Sequence, residues 1–598
     1  MKSKLLFLLL LLGSSYITAQ TVIENPPFET RQGSIHTISK IELSPTETRL
    51  TIRTVFRPQW WTSLDSLTYI YAPESKKQLY PLRIEGRKFG EQVTTPASGI
   101  IEDDCVITYP PLPEGTTRID WMDDNLNSET NTYGILLVKP QETKEQASLR
   151  KIHGNWQQAD AQNGWDIGIY DSLAIMDNRF WKYDLCRKQG KKFKLNLKDE
   201  TGEQCLLEIT QEKDGNLCIG KNGGKANKYI RAGRPQRNYA ATTAATAPQT
   251  AFFRKDTVHI RGFLDGYSPK LGFTTVLIYT DNHITNEGTP AVVTIHPDGR
   301  FESDFVVNYP GVHHLSMGNN WMTFYIRPGE TLMLYINWED HLDYLRQRRL
   351  KPMLTETLYM GPSSSINQEL MPCEPLFSKD YHIIQNACKT LTPSEFKTQQ
   401  EPMYKLWMHR VDSLEQSKTC LLYDVMINYG AWLLEFILMR DMDARKDTTN
   451  TILKIKETPD YYDFLKAMPL NDVRSIGCNN FSTFINRIEF MNPFLPASWQ
   501  IKNGTDDRME KYAESWRKKK EILQDTTGMP FPVVGELILT RSYPFLAKTL
   551  ENEKKAFALL DTLKGYLHDP FLVAEAERMY RQVYPVPVSY THLTLPTN

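Results

Sequence analysis

The sequence predicts a multidomain chain of all-β, β-sandwich-like N-terminal modules followed by an all-α C-terminal block. Three observations predict it. The chain has 598 residues, too many for one core and enough for about three to five units. Between residues 20 and 340, short runs with a two-residue apolar period recur between Pro, Gly, Asn and Asp. From about residue 365 to 586 the period becomes helical.

The first module spans residues 20–142. Thr48 to Phe56 sets Leu50, Ile52 and Phe56 on one face and Arg49, Thr51 and Arg53 mostly on the other, the pattern of a half-buried strand. Pro110, Pro111 and Pro113 mark irregular backbone, because proline has no N–H for a ladder. In Arg57-Pro58-Gln59-Trp60-Trp61 the rings are expected to pack in the core or rim of the sandwich, since large aromatics supply buried area; a ligand-binding patch is the other reading.

Residues 143–239 form a second β domain. Its first part, to about 160, is polar and reads as a linker with room for a short helix. Strands follow at Gly168 to Tyr170, Phe180 to Leu185, Lys192 to Leu197 and Leu206 to Gln211. Gly220 to Gly224 is glycine-rich, but no helix follows it, so a β-turn rather than a phosphate loop is expected. The Ala/Thr-rich stretch 240–251 has no apolar period and reads as a linker.

The third sandwich-like unit spans 252–345. His296-Pro297-Asp298-Gly299-Arg300 has strong turn chemistry between Val292–Ile295 and Phe301–Val307. Arg327-Pro328-Gly329-Glu330 is expected to close a further hairpin. His313-His314 is a poor metal pair, because neighbours in a strand point to opposite faces.

The helical domain spans 346–587. Thr392-Pro393-Ser394-Glu395 has the form of a capping box with proline at the first helical position. Cys420 to Met439 is nearly all apolar, yet Asp424, Asn428, Gly430 and Glu435 interrupt it, which fits a central buried helix better than a membrane span. Thr458-Pro459-Asp460 and Asp569-Pro570 open further helices, and Met509–Leu523 and Lys555–Leu567 are amphipathic.

The two ends read differently from the rest. Lys2 and Lys4, the apolar run Leu5 to Leu12, and small residues before Gln20 have the layout of a secretory signal peptide over residues 1–19. Export to the periplasm or cell envelope is therefore expected, with no transmembrane segment after cleavage. Residues 588–598, Ser589-Tyr590-Thr591-His592-Leu593 among them, resemble the conceptual translation of a transposase sequencing adaptor. The natural part of this sequence is expected to end near Pro587, cut there by the assembly rather than by a stop codon.

Composition narrows the function. Lys+Arg is 70 and Asp+Glu is 71, a net charge of −1, so there is no basic excess for neutralising phosphates and no nucleic-acid partner is expected. The eight cysteines (Cys105, Cys186, Cys205, Cys218, Cys373, Cys388, Cys420, Cys478) contain no C-x-x-C pair. Cys186, Cys205 and Cys218 are expected on neighbouring strands, either with one pair bridged or as buried thiols. No G-x-S-x-G, H-E-x-x-H or P-loop is present. The carboxylate pairs Asp103-Asp104, Asp123-Asp124 and Asp506-Asp507 read as solvated loops and helix starts. No catalytic, cofactor-binding or metal-binding residue is therefore assigned, and no cofactor is expected.

Several motifs carry a resemblance: Thr21-Val22-Ile23-Glu24-Asn25-Pro26-Pro27-Phe28, Phe56-Arg57-Pro58 with Trp60-Trp61, Ile119-Asp120-Trp121, Gly154-Asn155-Trp156, Phe180-Trp181-Lys182-Tyr183, Arg327-Pro328-Gly329-Glu330 and Asp569-Pro570-Phe571-Leu572. With these, the chain resembles periplasmic thioredoxin-like thiol–disulfide oxidoreductases of the TlpA class from Bacteroides-type bacteria, which have long N-terminal regions. The resemblance implies an oxidoreductase parent. In that family a C-terminal thioredoxin domain carries Trp-Cys-x-x-Cys at a helix start, where the first thiol's pKa is lowered. That motif is absent from this sequence, so none of its residues transfers and the chain is expected to be the non-catalytic front. It would position the redox domain or bind client proteins; a non-enzymatic envelope binding or assembly module is the alternative. Five Asp-Ser/Thr-aliphatic triplets, at Asp65, Asp171, Asp256, Asp412 and Asp561, match the short O-glycosylation pattern of such bacteria, and most are expected to be unmodified.

Overall fold

The structure is a computed structural model. It describes residues 21–123, 130–138, 146–160, 164–232, 251–317, 320–346, 357–370, 381–412, 414, 418–495 and 507–585. The expected signal peptide, the 240–250 part of the linker and the adaptor-like tail lie outside the described residues, as do Cys373, Asp124 and Asp506. An all-β region precedes a helical block, as the sequence predicts, and the sheets of that region fall into three units.

The first unit is a sandwich of two five-stranded antiparallel sheets. One has the order Thr21–Glu24, His36–Leu43, Thr48–Val55, Ile100–Tyr109, Arg83–Glu85. The other has the order Thr30–Arg31, Thr132–Leu136, Arg118–Met122, Tyr69–Ala72, Lys77–Leu79. Ile41, Leu50, Ile52, Ile107, Ile119, Trp121 and Ile135 fill the space between them. The buried Trp121 indole donates to the Tyr109 hydroxyl at 3.0 Å, so its one polar atom is satisfied in the core.

The second unit is a closed barrel of eight strands in sequential order, from Gly154–Gln158 to Asn227–Arg231. Trp156 closes it, pairing with Ile167 on one side and Arg231 on the other. The first strand therefore begins inside the stretch read as linker, just after a single turn of helix at Gln146–Leu149. Trp156, Trp181, Phe193, Leu195, Leu207 and Ile219 pack the interior, as expected for a small barrel filled by its own side chains. Asn222 and Gly223, both with positive φ, turn the chain within the glycine-rich 220–224 segment.

The third unit has two four-stranded sheets, and here two expected hairpins are corrected. Glu287–Thr294 and Arg300–Val307 flank the Pro297-Asp298-Gly299 turn, yet they belong to opposite sheets. So do Asn320–Ile326 and Thr331–Asn337 around Pro328-Gly329. Thr331–Asn337 instead runs parallel to Asp256–Asp265. Turn chemistry reverses the chain; apolar faces decide which sheet the next strand joins. Leu358–Met360 adds a last strand to this sheet, beyond residue 345.

In the helical block the 29-residue Lys418–Lys446 helix is central. It is long and apolar enough to cross a membrane, but 78 % of its most apolar window is buried within the protein. Thr392 and Glu395 form the capping box reciprocally, with Pro393 at the first position of the helix Pro393–Val411. Pro459 opens a 3-10 segment, Pro459–Ala467, rather than an α-helix.

The third sandwich is the hub. Against the first unit, Trp338 Nε1 donates to the Arg31 carbonyl at 2.7 Å and Thr30 Oγ1 to the Gly266 carbonyl at 2.8 Å. Against the barrel, Trp165, Tyr170, Ile175 and Phe180 meet Phe263, Met333 and Tyr335 in one buried cluster, with Tyr170 and Tyr335 stacked at 5.7 Å. Against the helices, buried Arg541 pairs with Glu489 at 3.1 Å and donates to Asn286 at 2.9 Å, while Phe253 stacks on Phe571 at 5.4 Å.

Candidate functional site

The strongest candidate is the surface at Phe56-Arg57-Pro58-Gln59-Trp60-Trp61. Both indoles are exposed, Trp60 by 40 % and Trp61 by 55 %, so of the two expected positions, core or rim, the core is excluded. The local backbone explains it. Pro58 and Gln59 form a tight turn closed by a bond from the Trp60 N–H to the Arg57 carbonyl at 3.1 Å. Gln59 holds φ at +59°, the left-handed value that the third residue of a type II turn requires. The turn swings the two indoles outward from the sheet.

This turn is held firmly. Gln59 N–H donates to the Thr95 carbonyl at 3.0 Å, and the Thr95 N–H donates to the Trp60 carbonyl at 2.9 Å. The Thr95 hydroxyl reaches the carbonyls of Arg57 and Trp60. Gly99 lies beneath: a Cβ there would sit 2.4 Å from the Phe56 carbonyl oxygen. The Arg57 guanidinium lies 4.9 Å over the Trp60 ring, and Phe56 meets that ring edge-on at 6.3 Å. Among the described residues, Trp61 and Thr62 form a two-residue strand paired only with Val93–Thr94.

A buried polar chain anchors the turn from behind. The Thr62 hydroxyl contacts His36 Nε2 at 3.2 Å, and His36 Nδ1 contacts Thr54 Oγ1 at 3.0 Å. Thr54 donates to Asp104 Oδ2 at 2.6 Å, and Arg87 Nη1 lies 3.2 Å from the same oxygen. Arg87 and Asp104 are both buried. No guanidinium nitrogen makes an aligned hydrogen bond, so charge rather than hydrogen-bond geometry holds the pair. Burial, reinforced by the Arg87 charge, pushes His36 down to about 3 and keeps it neutral. Asp104 thus departs from the solvated loop expected of Asp103-Asp104. Asp103 takes a left-handed φ in an irregular stretch of the strand, and the carboxylate of Asp104 turns inward. The missed signal was Arg87, a basic residue directly after the Gly86 kink.

Other candidates are weaker. A cavity of about 210 Å³ between the third sandwich and the helix Pro570–Val583 is lined by Lys255, Asp281, Glu287, His313 and Arg578. Arg578 already bridges Glu287 at 2.6 Å and Glu575 at 2.9 Å, and the volume is below the roughly 300 Å³ at which ligand pockets begin. His313 is buried and His314 half-buried, and among the described residues no group of three or more His, Cys, Asp or Glu could hold a metal.

Among the described residues no cysteine is in a disulfide, and Cys186, Cys205 and Cys218 lie on three strands of the barrel. Burial pushes Cys105 up to about 11 and Cys388 up to about 12, the opposite of an activated nucleophile. Of the glycosylation-like triplets, Ser66 and Ser172 lie exposed in a turn and a bend. Thr257 and Thr562 are half-buried inside a strand and a helix, and Ser413 is outside the described residues. No family model matches the chain, and no curated protein matches it significantly.

Proposed function

We propose that this chain is the non-catalytic, client-binding front of a periplasmic thioredoxin-like thiol–disulfide oxidoreductase, and that Trp60 and Trp61 receive an extended, apolar segment of a polypeptide client. One observation carries the reading: two neighbouring indoles are exposed, Trp60 at the end of a hydrogen-bonded turn and Trp61 in the short strand that follows it. Exposed aromatics cost little side-chain entropy on binding when they are already held, and aromatic anchors dominate protein interfaces. The short Trp61–Thr62 strand carries the second of them and offers a main-chain edge of the kind that extended peptides extend. The resemblance of the sequence to the TlpA class supplies the redox context, and the signal-like N-terminus supplies the periplasmic one.

Binding of a labelled, reduced and alkylated polypeptide, measured by fluorescence anisotropy, tests the site. Saturable binding is expected, weakened at least about tenfold in Trp60→Ala/Trp61→Ala, the loss of a single anchor of about 1.4 kcal/mol or more. Equal binding by the parent and the double variant would remove the site. Sequencing the source locus past codon 587 tests the redox context. A continuing frame with Trp-Cys-x-x-Cys is expected; a nearby stop codon would leave only an envelope binding or assembly module, which the exposed indoles serve equally well.

A further inference from the structure

Cys420 and Cys478 are 58 positions apart in sequence and adjacent in space. Cys420 lies in the first turn of the central helix, half-buried. Cys478 ends the 3-10 turn Val473–Gly477 and is buried. The Cys478 thiol points at the helix start: its Sγ lies 3.6 Å from the Cys420 carbonyl oxygen.

The two segments are clamped together independently of the sulfurs. One helical turn beyond Cys420, the Tyr423 hydroxyl donates to Asp472 Oδ2 at 2.6 Å. Arg474 reaches the same Tyr423 oxygen at 3.2 Å and pairs with Asp472. Directly before Cys478, Gly477 lies backbone-to-backbone against the third sandwich: a Cβ there would sit 2.2 Å from the Pro310 carbonyl and 3.1 Å from Gly311 Cα. The turn that ends at Cys478 is thus held both to the central helix and to the third sandwich, with its thiol against the start of that helix.

We propose that Cys420 and Cys478 are a modification site, a thiol pair that closes to a disulfide on exposure to a small disulfide oxidant of the glutathione class and staples the central helix to the seam with the third sandwich. The half-buried Cys420, as thiolate, attacks one sulfur of the oxidant; the oxidant's S–S bond breaks, one small thiolate leaves, and a mixed disulfide forms. Cys478 then gives up its proton and attacks the Cys420 sulfur, expelling the second small thiol. Two protein thiols become one disulfide, and the oxidant's disulfide becomes two thiols.

The test uses the full chain, equilibrated in oxidised or reduced glutathione. It is acid-quenched, denatured with N-ethylmaleimide present, digested and mapped by mass spectrometry. The expected result is a peptide pair joined through Cys420 and Cys478 in the oxidised sample only, with Cys388, whose thiol donates to the Phe436 carbonyl at 3.7 Å, recovered alkylated as a control. Cys420→Ser is expected to abolish the joined pair and leave Cys478 alkylated. Recovery of both residues separately alkylated from oxidised wild-type chain that keeps its native circular dichroism overturns the proposal. Because the wild-type map decides the matter, poor folding of a variant does not blunt it.

Discussion

Replacing Asp104 with Asn in the first sandwich isolates the buried charge that anchors the tryptophan turn. At 3.2 Å, an effective dielectric of about 20 gives the Arg87–Asp104 attraction a size of about 5 kcal/mol. Removing one partner leaves a buried charge uncompensated, and such losses measure about 3–5 kcal/mol. The effect belongs to one unit, so global denaturation is a blunt probe; hydrogen exchange of the Thr48–Val55 and Ile100–Tyr109 amides reads it directly. At about 1.4 kcal/mol per factor of ten, protection there is expected to fall by at least about a hundredfold. Arg87→Met/Asp104→Leu removes both charges and is expected to recover most of the protection, because apolar replacement of a buried pair is often close to neutral. Arg87→Met alone also removes a positive charge near His36 and is expected to raise its pKa, read by NMR. Unchanged exchange in Asp104→Asn, or a double variant no better than the single one, would refute the argument that an uncompensated charge sets the cost.

Acid stability offers a second check. Burial pushes His36, His283 and His313 down to about 3 and His341 to about 4, below the ordinary 6.5. The fold therefore favours the neutral base. This stability is fully present above pH 6.5 and is lost as pH falls towards 4 and 3, where the unfolded chain takes up protons that the folded one refuses. Each histidine contributes a slope of about 1.4 kcal/mol per pH unit, so the urea midpoint should drop between pH 7 and pH 5; a flat profile contradicts it. In the third sandwich, a Cβ on Gly262 would lie 2.0 Å from Phe301 Cζ, so Gly262→Ala should cost about 3 kcal/mol or more in urea unfolding, and parental stability would show that the ring can yield. Closing the Cys420–Cys478 loop of about 58 residues should stabilise the helical block by about 4 kcal/mol on the chain-entropy model, read as an oxidation-dependent midpoint that Cys420→Ser loses. Trp60→Phe/Trp61→Phe should remove the component of tryptophan fluorescence most open to acrylamide; unchanged quenching would place the indoles inside the protein.

What the sequence determines here is what short-range physics determines. The alternation Lys192 to Lys198 places Phe193, Leu195 and Leu197 inside the barrel, because a strand's period is two wherever it pairs. Thr392-Pro393-Ser394-Glu395 starts a helix because its own side chains satisfy the first free N–H groups. The interrupted apolar run after Cys420 becomes the central helix of the block for the same local reason. The tertiary structure decides partners. The turns at Asp298-Gly299 and Pro328-Gly329 reverse the chain but deliver it to the opposite sheet, since strand choice depends on faces contributed from far along the chain. Closure of the barrel depends on Trp156 meeting Arg231, 75 residues on. Asp104 is buried only because Arg87 reaches it, and Trp60 and Trp61 are exposed because Thr95 and Gln59 fix a turn that hydrophobicity alone would have folded inward. Cys420 and Cys478 share no motif; they meet because a helix start and a 3-10 turn are clamped by Tyr423, Asp472 and Arg474, an adjacency that no local spacing encodes.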